Sequence, residues 1–172
     1  MLNKMLLETS HLLQGLVSDV SGIRHGRVDK CVYSADHAAL VGFQVAASGV
    51  ITKFRSLSLQ DCISLNHESV VIDSSAALGK DLKELDAVSE LTGPVVGVTA
   101  VTESGQRLGT VNDLLIDADT GIIVRFYLRK LLAERIIPRD YLVSITPKRV
   151  VFKDVVNTPV FNQIATAEAA AN

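Results

Sequence analysis

Apolar positions in this chain fall in short alternating runs, a period of two that marks half-buried strands. The clearest run, Gly109 to Ile116, is followed by Asp117-Ala118-Asp119-Thr120-Gly121 and a returning run from Ile122 to Leu128, which together predict a hairpin. Asp and Thr side chains bond the backbone of such a turn, and Gly121 supplies the positive φ it needs. Upstream, the β-branched stretch Gly93–Thr102 predicts a strand closed by a turn at Glu103-Ser104-Gly105-Gln106. Downstream, Ile136–Leu142 predicts a strand end breaking into a helical turn, and Lys148-Arg149 a tight turn before Val150-Val151-Phe152. Between them, Lys130-Leu131-Leu132-Ala133-Glu134-Arg135 interrupts the strand pattern with good helix formers. Its Leu131-Leu132 pair is expected to pack between two barrels or to dock a partner.

The same pattern occurs twice. At an offset of 83, Gly22, Arg24, Gly26, Val28, Ala35, Asp36, Val41 and Phe43 fall on Gly105, Arg107, Gly109, Val111, Ala118, Asp119, Val124 and Phe126. That is 8 identities over residues 22–45. The offset then becomes 80, setting Ser64-Leu65 on Ser144-Ile145 and Val70-Val71 on Val150-Val151. The first copy has lost the hairpin glycine, with Ala38 in its place, and uses Asn66-His67-Glu68-Ser69 for the later turn. A duplication of this size predicts two units: residues 1–73, a linker at 74–85, residues 86–160, and a tail at 161–172. About 70 residues of short antiparallel strands are too few for a large sandwich, and closing into a small barrel removes exposed edges. The expected fold is all-β: two tandem small β-barrels with short helical turns.

The segment Gly109–Phe126, with its G-x-V-x-D start and Asp-rich hairpin, resembles the signature hairpin of PRC-barrel domains, and Ile137–Ile145 resembles that family's continuation. The first copy is similar in the same order, through Gly26-Arg27-Val28-Asp29 and Gly42-Phe43. The resemblance implies two PRC-barrel-like domains. Family members include a photosynthetic reaction-centre subunit, a ribosome maturation factor and archaeal cell-division scaffolds, and the family offers no shared catalytic residues. A binding or adaptor role is therefore implied, not an enzyme.

The rest of the composition narrows chemistry more than it suggests any. Of 172 residues, 48% are hydrophobic, enough for a core. A net charge of −2 excludes a globally basic nucleic-acid binder. Two cysteines, Cys31 and Cys62, exclude a disulfide scaffold, and the histidines His11, His25, His37 and His67 are scattered. An EF-hand loop starting at Asp117 would need its bidentate acid where Leu128 stands. There is no G-x-S-x-G elbow and no phosphate loop. No metal, cofactor or catalytic set is expected. With no membrane span and no secretory signal in view, a cytoplasmic protein is expected.

Charge is unevenly spread. Residues 125–153 carry eight basic and two acidic side chains (+6), whereas residues 1–124 carry nine basic and fifteen acidic (−6). Arg125, Arg129, Lys130, Arg135 and Arg139 are the candidate partner-binding residues, for a protein partner, a second copy of the chain included. The alternative is RNA or the ribosome, with Phe126, Tyr127 and Tyr141 stacking bases. Against that, strand alternation buries Phe126 and Leu128 and leaves Arg125, Tyr127 and Arg129 on a solvated face. A small-ligand carrier ranks lowest, because barrels this small are filled by their own side chains.

Overall fold

The structure is a computed structural model and describes residues 5–49, 53–79 and 95–157. Its first half holds β2 (Leu16–Asp19), β3 (Arg24–Ser34), β4 (Ala39–Ala47), β5 (Lys53–Ser58), β6 (Cys62–Asn66) and β7 (Ser69–Ile72). They form one sheet in the order β5-β4-β3-β2-β7-β6. The second half holds β8 (Thr99–Thr102), β9 (Arg107–Asp117), β10 (Ile123–Lys130), β11 (Ala133–Pro138), β12 (Leu142–Thr146) and β13 (Arg149–Phe152). Their order, β11-β10-β9-β8-β13-β12, is that of the first sheet, element for element. Each sheet is antiparallel except for one parallel pair, β2 with β7 and β8 with β13. A 3-10 turn follows β5 at Leu59–Asp61 and β11 at Arg139–Tyr141. The fold is all-β and barrel-like, with sheets that curl around their cores.

The offsets of 83 and 80 carry through to packing. Phe43 and its equivalent Phe126 are both fully buried, and Phe126 meets Phe152 edge-on at 5.1 Å between ring centres. Gly26 and Gly109 serve one purpose twice. A Cβ at Gly26 would stand 2.3 Å from the carbonyl oxygen of Ala46, and one at Gly109 would stand 2.6 Å from that of Arg129, the equivalent residue. Only glycine lets the neighbouring strand come so close.

Two expectations change. The strand expected at Gly93–Thr102 is confined to Thr99–Thr102, because Gly97 takes φ +91° and donates its N–H to the Val111 carbonyl; Gly93 and Pro94 lie outside the described residues. The helix-forming stretch Lys130–Arg135 makes no helix. β10 and β11 pair directly from Lys130↔Ala133 onward, so Leu131 and Leu132 are the two residues of a tight hairpin turn. Of the expected linker, residues 75–77 form a 3-10 turn and Leu78 bridges to Leu57. Its remainder from residue 80, and the tail at 161–172, lie outside the described residues.

The two halves share strands and turns. β1 (Leu6–Glu8), at the start of the first expected unit, pairs with β9 of the second sheet through Leu6↔Asp117, Leu7↔Ile116 and Glu8↔Leu115. The short helix α1 (Thr9–Leu12) then leads the chain back to the first sheet. The equivalent hairpin turns also meet. Leu40 N donates to Gly121 O (2.8 Å) and Ile123 N to Ala38 O (3.0 Å), a reciprocal exchange between residues matched by the 83-residue offset.

Candidate interaction surface

Strand alternation decides where the basic stretch of the second half goes. On β10, Ile123, Phe126 and Leu128 are buried, while Arg125 and Tyr127 are half-exposed and Arg129 is exposed. On β11, Arg135 stands opposite the buried Leu128, whereas Glu134, Ile136 and Pro138 stand opposite Arg129, Tyr127 and Arg125. Arg125 and Arg129 therefore share the outer face. Lys130 and Arg135 lie on the inner face at the rim of the sheet, and the sequence cluster is split between two faces.

Each candidate cation has a definite partner or neighbour. Arg129 Nη2 donates to Glu134 Oε1 at 2.9 Å, and both side chains are exposed, so the pair adds about 0–1 kcal/mol. Lys130 Nζ reaches the carbonyl of Arg107 (3.3 Å), and Arg135 Nη1 that of Val156 (3.4 Å). Arg139 is committed within the molecule. Its Nη1 donates to Ala38 O (2.7 Å) and Ile123 O (3.3 Å), and its Nη2 to His37 O (2.9 Å), stitching the 3-10 turn of one half to the hairpin turn of the other. These bonds within the molecule are not visible in the sequence, where Arg139 stands as a candidate for a partner. Arg125 stands beside Tyr127, whose phenol is pushed up by burial and by the Glu8 carboxylate, against the opposing pull of Arg125.

The aromatic side chains do not form a stacking platform. Phe126 is fully buried against Phe152, so only Tyr127 of the neighbouring pair reaches the surface. The conspicuous surface feature is apolar. Leu131 is 90% exposed and Leu132 is 102% exposed, at the tip of the β10–β11 hairpin. They do not pack between the halves.

Other polar clusters have structural duties. Asp117 Oδ1 accepts from the backbone N–H groups of Asp119 (3.1 Å) and Thr120 (3.0 Å) and from the Thr120 hydroxyl (3.0 Å), as the turn reading requires. Asp113, buried between the halves, accepts from Thr9 Oγ1 (2.9 Å), the Ser10 N–H (3.0 Å), the Ser10 hydroxyl and the Leu114 N–H (2.8 Å). In the sequence Asp113 stands only as the last position of the G-x-V-x-D motif, and its duty is not visible there, because its partners Thr9 and Ser10 lie more than a hundred residues away. Asp19 accepts from the Ser21 and Ile23 N–H groups (both 3.0 Å) and meets His25 Nε2 at 2.7 Å. Burial pushes the thiols of Cys31 and Cys62 up to about 12 and holds both in the protonated form.

His11 and His67, distant in sequence, face each other with their Nδ1 atoms 3.3 Å apart in an open cleft of about 830 Å³ that Arg27 and Glu68 also line. Among the described residues, no group of three or more His, Cys, Asp and Glu side chains is placed to hold a metal ion. Nor is any helix there long and apolar enough to cross a membrane.

A pair of curled sheets with a helical turn after the fifth strand, built around an Asp-capped hairpin, defines a small-barrel architecture. Residues 94–162 match the PRC-barrel domain family. No curated protein matches the chain.

Proposed function

We propose that the chain is a non-enzymatic protein-interaction module, an adaptor, made of two tandem PRC-barrel-like domains. The family match covers the second half only. Extending it to the first half rests on the common strand order and on the equivalence of Gly26 with Gly109 and Phe43 with Phe126. The observation that supports the binding role is the outer strand face of β10, where half-exposed Arg125 and exposed Arg129 flank Tyr127 and six residues pair with β11. Cations on a strand face select an acidic partner by steering and by excluding like charge.

The test is capture by tagged protein from a membrane-cleared extract, with and without nuclease treatment, followed by titration of the captured protein against purified chain. Wild type should retain a partner, and Arg125→Glu/Arg129→Glu should weaken its affinity at least about tenfold with an unchanged melting temperature. Equal affinity for both would remove this face from the proposal. Partners that vanish on nuclease treatment, with affinity falling steeply as salt rises, would favour the RNA reading instead.

A further inference from the structure

We propose that the β10–β11 hairpin tip docks on an anionic lipid surface, with Leu131 and Leu132 entering the interfacial layer and the cations around them meeting the headgroups. The proposal shares only Arg129 with the protein-interaction reading, which uses the outer strand face; its variants at Leu131, Leu132, Lys130 and Arg135 leave that face unchanged.

Four observations carry it. Leu131 and Leu132 are 90% and 102% exposed, so two large aliphatic side chains in succession are presented almost wholly to water. Leu131 holds φ +57° at the first central position of a two-residue hairpin turn, where such turns favour Gly, Asn or Asp. The chain thus sets an apolar residue against the local conformational rule, and no packing of its own offsets this, a pattern typical of functional positions.

The tip also has a collar. Arg129 lies on one face and Lys130 on the other, with Arg135 one strand over and Arg107 at the carbonyl that Lys130 reaches. Glu134, paired with Arg129, is the one acid on these hairpin strands beside Arg129, Lys130 and Arg135, which leaves a net +2 next to the leucines. Finally, the tip is convex. A protein partner would need a matching apolar pocket, whereas a lipid surface deforms around a protrusion and supplies the negative charge that the collar complements. The chain's own open cleft is lined by Arg27, His11 and His67 beside Glu68, a poor seat for a cationic tip from a second copy.

The experiment is co-sedimentation of the purified full chain with vesicles of phosphatidylcholine alone and of phosphatidylcholine mixed with phosphatidylglycerol. Wild type should partition onto the mixed vesicles and not onto phosphatidylcholine. Leu131→Ser/Leu132→Ser should lower that partitioning at least about tenfold, and Lys130→Glu/Arg135→Glu should remove the preference for phosphatidylglycerol. Both variants should keep the wild-type circular dichroism spectrum; the serine variant should also keep its melting temperature, since neither leucine is packed. Failure of wild type to bind mixed vesicles, or equal binding by the serine variant, overturns the proposal. So does a wild-type dimer in sedimentation velocity that the serine variant converts to monomer without any vesicle binding, which would make a second copy the occupant.

Discussion

Gly121 and Ala38 occupy equivalent places in the repeat and hold φ +71° and +46° respectively. Their surroundings differ. A Cβ on Gly121 would stand 2.2 Å from Leu40 O and 2.6 Å from Leu59 Cδ2, whereas the Ala38 carbonyl receives the Arg139 guanidinium. Leu59 and Arg139 are themselves equivalents, so each half's 3-10 turn presses on the other's hairpin turn, once with an apolar side chain and once with a cation. Gly121→Ala should therefore cost more than about 2 kcal/mol, combining left-handed strain with the clash. Ala38→Gly should stay within about 1 kcal/mol of wild type, since relief of the left-handed conformation offsets the added chain entropy. Chemical denaturation of the two variants checks the asymmetry. The loss of the turn glycine was visible in the sequence, but the contact made there was not: Arg139, which reads as a surface cation, donates to the carbonyls of Ala38, His37 and Ile123.

Among elements, the hairpins were the most legible and their ends the least. Alternation placed β9, the Asp117–Gly121 turn and β10 nearly to the residue, because periodicity and turn chemistry agree there. At Lys130–Arg135 they disagree. Helix propensity is worth a few tenths of a kcal/mol per residue, and the six paired positions between β10 and β11 overrule it. The β2–β3 turn makes its own prediction. Hydrogen bonds from Ser21 and His25 hold the Asp19 carboxyl at about 2, below its ordinary 3.8. A depressed carboxyl contributes stability that is fully present above the unfolded value and is lost as pH falls through the folded one. Wild-type melting temperature should therefore drop more steeply between about pH 4 and pH 2 than that of Asp19→Asn, and parallel slopes would refute this role for Asp19.

For the whole molecule, the repeat predicted two units, and the structure shows that they interlock. β1 joins the second sheet, α1 carries the chain across, and Asp113 fastens Thr9 and Ser10 to β9. No local pattern encodes this clamp, since a strand of three residues has too few positions to show a period and its partners are far away in sequence. Asp113→Ala removes the acceptor shared by the buried Thr9 hydroxyl and the Ser10 and Leu114 N–H groups and should cost about 3 kcal/mol. Wild type should melt in one calorimetric transition, and the variant should show faster amide exchange at Leu6–Glu8 before the global transition. Protection of those amides equal to wild type would mean that strand pairing alone secures the segment.

The interlock also imposes an order on synthesis. β1 is made before its pairing surface at Leu115–Asp117, which emerges only after about a hundred more residues, roughly 5–20 s later at ordinary elongation rates. Throughout that interval the backbone of β1 lacks the strand it pairs with. On a crowded message, the nearest complementary edge belongs to the nascent neighbour ahead, so exchange of β1 between chains is the characteristic error this architecture must outrun.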